Sequence, residues 1–353
     1  MKILAINPGS TSTKVAYYVD GTIIKEQSIV HPLETIEKFG AVTEQVDFRW
    51  EILLRFLKEE KISAVELDAV VGRGGILPPV KAGAYEVTEK LMNYLLYETT
   101  VEHPSNLGAL LANEVKKQGN ERTIALVYDP VSVDEFEDVA RISGLKGIER
   151  KSLGHALNMR AVAMKAAQDA QLDYQQATLI VAHLGGGNSI SIHHQGRMID
   201  SFSDDEGPFA TERTGGLPVK EVIALCYEKS KEEMLRLYKR EGGLKSYTGT
   251  NDAREIETRI KQGDEEAKLV YDAYIYQIAR AIGGLATITD GKVDRIILTG
   301  GVAYSDYVVA ALTQKTAFIA PVIAEPGEHE MIALSKGAER VVLGQEELHR
   351  FKG

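Results

Sequence analysis

The sequence predicts a duplicated α/β protein, two domains each built on a mixed β-sheet flanked by helices. Three observations predict it. Two small-residue hairpins open the two halves, two matching apolar strands each end in a glycine pair, and stretches of helical periodicity separate the strands.

The hairpins come first. Apolar residues 3–6 run into Asn7-Pro8-Gly9-Ser10-Thr11-Ser12, then residues 14–19 and the turn Asp20-Gly21. Far downstream, residues 179–182 run into His183-Leu184-Gly185-Gly186-Gly187-Asn188-Ser189, then residues 190–193 and the turn Gln195-Gly196. Each spells strand, hairpin, strand, turn and third strand. The second echo is Leu67-Asp68-Ala69-Val70-Val71-Gly72-Arg73-Gly74-Gly75, which matches Val293-Asp294-Arg295-Ile296-Ile297-Leu298-Thr299-Gly300-Gly301 position for position. A further strand follows in each half, residues 123–128 before Asp129 and residues 320–324 before Glu325. Between the strands, residues 50–60, 106–117, 157–168 and 265–289 place apolar side chains at three- and four-residue spacing, the mark of helices.

Composition bounds the function. A chain of 353 residues suits two cores rather than one. Hydrophobic residues at 44% and charged residues at 26% are ordinary for a soluble globular protein. A net charge of -10 disfavours nucleic acid, so an anionic substrate has to be held by locally placed arginines. One cysteine, Cys226, permits no internal disulfide and suits a reducing cytoplasm. The opening segment meets Asn7, Pro8 and Gly9 too early for a signal-peptide core, and no apolar run is long enough for a membrane span.

The chemistry lies in the hairpins. The chain has neither GxGxxG nor a Walker A run, which removes the two commonest nucleotide cradles. A tip of Gly, Ser, Thr and Asn exposes backbone N–H groups and small hydroxyls, a concavity suited to phosphate oxygens. One such hairpin per domain, facing across a cleft, suits a triphosphate.

At these residues the sequence resembles a known family. Asn7-x-Gly9-Ser10-Thr11-Ser12-x-Lys14, His183-Leu184-Gly185-x-Gly187-x-Ser189 and Thr299-Gly300-Gly301 resemble the phosphate and adenosine motifs of the acetokinase family, within the acetate and sugar kinase, heat-shock ATPase and actin superfamily. Val71-Gly72-Arg73-Gly74-Gly75, His103-Pro104-Ser105-Asn106, the triple glycine 185–187 and Pro326-Gly327-Glu328-x-Glu330-Met331 are similar to the butyrate kinase branch. The resemblance implies duplicated actin-like ATPase (ribonuclease H-like) domains around a central cleft. Residues 1–150 plus 331–353 would form the acyl side and residues 151–330 the nucleotide side. It implies reversible phosphoryl transfer, ATP + butanoate = ADP + butanoyl phosphate, with Mg²⁺ or another divalent cation. A homodimer or higher homo-oligomer is implied, with the helix at 265–289 a candidate interface. Competing readings are an acetate or propionate kinase on the same scaffold and, from another class, a non-catalytic ATP-binding switch.

The reaction sets the residue types. A carboxylate is already ionised at neutral pH, so no general base is needed. The site has to bring anions together and stabilise a loose, in-line transition state. Arg73, at a strand end before a glycine pair, and Arg213, in Thr211-Glu212-Arg213-Thr214-Gly215-Gly216, match by resemblance the arginines that hold the carboxylate and the transferring phosphoryl group. Asp129 resembles the active-site aspartate, assigned to orienting metal-bound water or substrate. Glu328 resembles the glutamate that reaches the metal through water, with Glu330 close enough in sequence to exchange with it. His155 in Gly154-His155-Ala156-Leu157-Asn158 matches a histidine donating to the transition state, and His103 one beside the acyl group. For the nucleotide the resemblance implies Asn7, Ser10, Ser12, Lys14, His183, Gly185, Gly186, Gly187, Asn188, Asp252, Arg254, Gly300 and Gly301. Asn251 or Asp252 also reads as a helix N-cap. Asp204-Asp205-Glu206 reads as a solvated loop, and His193-His194 as no metal pair, since strand neighbours face opposite ways.

Two features depart from acetate kinases. Arg73 meets Gly74 directly, and Gly154 stands where those relatives carry phenylalanine. Both changes remove bulk near the expected acyl pocket, and room for two further carbons would favour a C4 acid by ~1.6 kcal/mol, roughly fifteenfold.

Overall fold

In the computed structural model, which describes residues 1–99 and 101–353, the chain divides into two units, Met1–Asp134 with His329–Gly353, and Glu135–Glu328.

The first unit carries strands β1 (Lys2–Pro8), β2 (Ser12–Val19), β3 (Thr22–Val30), β4 (Ala69–Arg73), β5 (Ala84–Glu86) and β6 (Ile124–Tyr128). The second carries β7 (Thr178–Leu184), β8 (Asn188–His194), β9 (Arg197–Phe202), β10 (Arg295–Gly300) and β11 (Val322–Pro326); β12 (Leu348–His349) returns to the first. The sheets run β12-β5-β6-β4-β1-β2-β3 and β11-β10-β7-β8-β9. Within them β3-β2-β1-β4-β6 and β9-β8-β7-β10-β11 have one order and one set of senses: two antiparallel hairpin pairings, then two parallel ones. Even the irregularity repeats, a register shift at Tyr17/Tyr18 against β3 and at Ile192/His193 against β9. The duplication read from the sequence is therefore structural.

Burial explains the strand sequences. Ile3, Leu4, Ala5 and Ile6 are fully buried, because β1 is covered on both faces. The helices Leu107–Lys117 and Glu330–Val342 both pack on it. Gly72 and Gly108 meet where the first of these crosses β4. A Cβ on Gly72 would lie 2.2 Å from the Gly108 carbonyl oxygen, so bulk at either position would lift the helix off the strand that ends in Arg73. In the second unit the long helix Glu265–Ala286 buries Tyr271, Tyr274, Ile278, Ile282 and Leu285 against Ile180, Ile190 and Leu298. The helix expected at 265–289 is thus chiefly core, with Leu269 and Tyr276 on its exposed side.

Boundaries differ from expectation where turns tighten. The helix expected at 106–117 begins at Leu107, behind the 3-10 turn Pro104–Asn106, and residues 287–289 close the long helix in the same way. The helix at 50–60 begins earlier, as Val46–Glu59. The strand expected at 320–324 lies at Val322–Pro326, slid by its pairing of Thr299 with Glu325; its terminal proline is tolerated on an edge strand.

Candidate active site

The parallel strands β1, β4 and β6 bring their carboxyl ends to one edge of the first sheet, the usual place for ligands in such sheets. Asn7 lies at the end of β1, Arg73 ends β4, and Asp129 follows β6 directly. Glu330, in the first turn of its helix, joins them. Its Oε2 accepts from Asn7 Nδ2 at 2.6 Å, and its Oε1 pairs with the Arg73 guanidinium. Arg73 and Glu330 are both largely buried but open on one side, so the pair can exchange partners when an anion arrives. Asn7, assigned to the nucleotide, and Arg73, assigned to the carboxylate or phosphoryl group, both contact Glu330. The carboxylate beside them is Glu330; Glu328 lies in the second unit, with Oε1 3.9 Å from His183 Nε2.

Asp129 is only 3% exposed and holds a left-handed backbone, φ 39°, uncommon for a residue other than glycine. Its Oδ1 accepts the Gly83 N–H at 2.7 Å and its own N–H donates to the Gly83 carbonyl at 3.0 Å. That reciprocal pair fixes the carboxylate at the sheet edge. His103 caps the turn Pro104–Asn106: its Nδ1 accepts the Ser105 N–H at 3.2 Å and lies 2.6 Å from Ser105 Oγ. Burial, then the Arg73 charge, hold its pKa below the usual histidine range. With Nδ1 accepting, the network assigns the remaining proton to Nε2.

The first hairpin exposes Ser10 and half-buries Ser12 and Lys14, with Lys14 opposite Asn7 in register. Beneath it lies a residue to which sequence reasoning gave no role. Arg49, 0% exposed, donates to the carbonyl oxygens of Gly9, Ser10 and Ser12 and to Thr13 Oγ1. A signal existed: Arg49 occupies the same helical face as Leu53, Phe56 and Leu57, where an apolar residue is the norm.

In the second unit the His183 ring is buried and stacks on His155, centroids 3.9 Å apart and planes 11° from parallel. Asn158 Nδ2 lies 2.9 Å from His183 Nδ1 and 3.3 Å from Thr299 Oγ1, and His155 Nδ1 lies 3.1 Å from Ser189 Oγ. With the Asn158 amide donating, His183 carries its proton on Nε2. Asn158 was also missed; its position three residues after His155, one helical turn on, was the available clue.

Asn188 braces the hairpin, donating to the Phe209 carbonyl at 2.9 Å. Arg213 pairs with Asp204, and a Cβ on Gly187 would lie 2.5 Å from Asp204 Oδ1 and 2.7 Å from Arg213 Nη1. Only glycine lets that pair reach the hairpin. The acidic run is a loop with Asp205 and Glu206 exposed, as expected, and its carboxylates also have partners: Asp204 holds Arg213, Asp205 accepts from Tyr238, and Glu206 takes Arg150 at 2.7 Å.

A cavity of about 970 Å³ opens in this unit, lined by Gly185, Gly186, Asp252, Arg254 and Gly301 among others. Five residues expected at the nucleotide therefore share one pocket. Asp252 caps the helix Ala253–Lys261 and pairs with Arg254, which with the Arg254 N–H holds its carboxyl at about 2. Gly300 has φ 85°, and a Cβ there would lie 2.4 Å from the Leu184 carbonyl oxygen, so β10 approaches the hairpin as only glycine allows.

Gly154 and Gly74 both have close neighbours. A Cβ on Gly154 would lie 2.9 Å from Ser189 Oγ, and one on Gly74 2.6 Å from Pro130 Cα. Both glycines serve close packing, and at Gly154 a Cβ would point at Ser189 rather than into open space.

Among the described residues no three His, Cys, Asp or Glu side chains cluster as a metal cage. Magnesium characteristically keeps several waters and takes one or two protein oxygens plus substrate phosphates, which Asn7 and Glu330 fit. Nor, among the described residues, is any helix long and apolar enough to cross a membrane.

The acetokinase family model matches residues 145–342. Butyrate kinase 2 of Clostridium acetobutylicum is 42% identical over 355 aligned residues, covering 99% of each chain. A probable butyrate kinase of Listeria monocytogenes is 43% identical, covering 98% of each. Among solved structures, Porphyromonas gingivalis acetate kinase superposes with a TM-score of 0.77 at 21% identity, over 96% of this chain and 99% of its own. A Francisella tularensis propionate kinase gives 0.74 at 17%, over 95% and 98%. These structural likenesses show the fold, a pair of actin-like (ribonuclease H-like) domains.

Proposed function

The chain belongs to the acetokinase family, and on that premise we propose that it is a reversible short-chain fatty-acid kinase, moving the γ-phosphoryl group of ATP to butanoate to give butanoyl phosphate and ADP. The observation that carries this reading is the row Asn7, Arg73 and Asp129 on adjacent strand ends, with Glu330 closing it, in a chain whose full-length relatives are named butyrate kinases.

The first unit takes the acyl side. Arg73 exchanges Glu330 for the substrate carboxylate or the transferring phosphoryl group, whose planar oxygens a guanidinium grips bidentately. Asp129, its Oδ1 engaged by Gly83, orients rather than abstracts, as an ionised carboxylate nucleophile needs no base. His103, neutral with Nε2–H, donates beside the acyl group. Asn7 and Glu330, rather than Glu328, would hold the divalent cation, because Glu330 is the carboxylate beside Asn7. When bound, that cation neutralises charge on the phosphates.

The second unit takes the nucleotide. The cavity at Gly185, Gly186 and Gly301 is large enough for a nucleoside, and small-residue backbone N–H groups face the phosphates. The stacked pair His155 and His183 supplies ring N–H donors, and Arg213 a mobile cation held ready by Asp204. Two arginines and neutral donors suit a transition state whose charge spreads over three equatorial oxygens. A non-catalytic switch has no use for a carboxylate clamp. A cytoplasmic setting and a homodimer belong to the same reading, the latter supported by exposed Leu269 and Tyr276 on the long helix. The test is kcat/KM for C2 to C5 acids with ATP and Mg²⁺. A maximum at butanoate or isobutanoate is expected; a maximum at acetate would move the protein to its sister branch.

A further inference from the structure

Among the described residues Arg49 is the largest fully buried side chain, and its hydrogen-bond partners there are all neutral. Its Nη1 donates to the Ser12 carbonyl and to Thr13 Oγ1, each at 3.0 Å. Its Nη2 donates to the carbonyls of Gly9 at 2.9 Å and Ser10 at 3.3 Å. Gln45 Oε1 receives Nε at 3.1 Å and Nη2 at 2.8 Å. Among the described residues no carboxylate pairs with it. His31 completes the shell through Thr13, with Nε2 2.9 Å from Oγ1. Burial and the Arg49 charge hold that imidazole at about 4, so it is neutral at physiological pH.

Two consequences follow from elementary chemistry. A peptide unit is planar and trans, so its C=O and N–H point opposite ways. Carbonyls of Gly9 and Ser10 drawn inward to Arg49 therefore turn the N–H groups of Ser10 and Thr11 outward, and both residues are exposed. Second, a buried guanidinium without a counter-charge is costly, and an anion seated just above it offsets that cost. A pure structural brace would be served better by an uncharged or carboxylate-paired group.

We propose that Arg49 is the positioning residue of the first hairpin: its fork shapes the tip into an anion nest, and its unpaired charge is balanced by the phosphoryl oxygens bound there. The inference rests on the proposed function and on the sequence reading of that hairpin tip as a cradle for phosphate oxygens. Arg49 touches no reacting atom; it acts through the backbone of residues 9–13 and through its field.

The experiment is steady-state ATP synthesis from butanoyl phosphate, ADP and Mg²⁺ by the full chain, with unsubstituted protein, Arg49→Met and Arg49→Lys. Calorimetric ADP affinity and melting temperature are measured alongside. Arg49→Met should raise KM for butanoyl phosphate about ten- to a hundredfold, the loss of a charge-assisted contact, with ADP affinity within about threefold. Arg49→Lys keeps the cation and should hold KM within about fivefold. Its ammonium cannot span four hairpin acceptors, so kcat should fall about tenfold. An Arg49→Met protein with unchanged KM, or an Arg49→Lys protein that only melts lower while keeping kcat, overturns the proposal. If Arg49→Met does not fold, the split between kcat and KM in Arg49→Lys decides alone. No turnover by the unsubstituted protein defeats both readings; turnover unaffected in the variants defeats this one only.

Discussion

Gly154 offers a test in which sequence and structure predict opposite outcomes. By sequence, a larger residue there fills an acyl pocket and selects against longer acids. By structure, a Cβ at 154 meets Ser189 Oγ at 2.9 Å, closer than real side chains come, and Ser189 Cβ at 3.2 Å, which is tight. Ser189 has to turn away, and with it goes the 3.1 Å contact that orients His155. A hydrogen bond of this kind is worth about 1 kcal/mol, hence roughly fivefold in rate, and residual overpacking adds about 1 kcal/mol of destabilisation. Gly154→Ala should therefore lower kcat about fivefold for butanoate and for acetate alike, with KM little changed. Ser189→Ala should show the same loss, because it deletes the same contact. In the double variant the losses should not multiply, the sign of two residues acting through one interaction. The assay is ADP release with both acids for the four proteins, with melting curves as the folding control. Gly154→Ala indistinguishable from the unsubstituted enzyme, or losses that multiply in the double variant, would refute the reasoning. A selective loss of butanoate turnover would restore the pocket argument.

Other expectations can be checked with the same assay. Arg73→Ala should lose ~2–4 kcal/mol of transition-state stabilisation, about 30- to 1000-fold in kcat/KM, with lysine rescuing only partly; a change within a few-fold counts against the clamp. Glu330→Gln should raise the Mg²⁺ needed for half-maximal rate about tenfold or more, whereas Glu328→Gln should leave it within about twofold; the reverse ranking would return the metal to Glu328. His31, held at about 4 by burial and by Arg49, binds its proton in the unfolded chain near 6.5 but not in the native one. Its contribution is thus full above about 6.5 and lost as pH falls toward 4, at most about 3 kcal/mol. His193, buried and held at about 3, adds to the same fall. The melting temperature should drop across that window, and a flat profile would contradict the burial of both rings.

Much of the fold was legible because duplication made each half a check on the other. The paired hairpins and the glycine-ended strands became β1–β2, β7–β8, β4 and β10, each close to its expected place. The strand-end positions of Asn7 and Arg73 were legible because each follows an apolar run and precedes small turn residues. Residues acting through others were not. Arg49 is read at helical spacing as one more core position, and only its contacts with residues 9–13 reveal a polar task. Asn158 lies in an alanine-rich helix and acquires meaning only when β7 brings His183 to 2.9 Å. The choice between Glu328 and Glu330 was open for a similar reason. Glu328 follows the end of β11 and Glu330 opens the next helix, so two residues of sequence put them in different units. At Gly154 a glycine's absence of bulk looks the same in sequence whether it leaves space or admits a neighbour, and only the structure shows the neighbour, Ser189.

The central claim is that a carboxylate attacks the γ-phosphoryl group of ATP, and the acyl phosphate so formed can be caught. The protein is incubated with ATP, Mg²⁺, butanoate and hydroxylamine, and butanoyl hydroxamate is measured against ADP. The account predicts hydroxamate and ADP in equal amounts, both dependent on butanoate and both abolished by chelating the metal. ADP released without hydroxamate, or at a rate indifferent to butanoate, would make the protein an ATPase of the same fold and contradict the account.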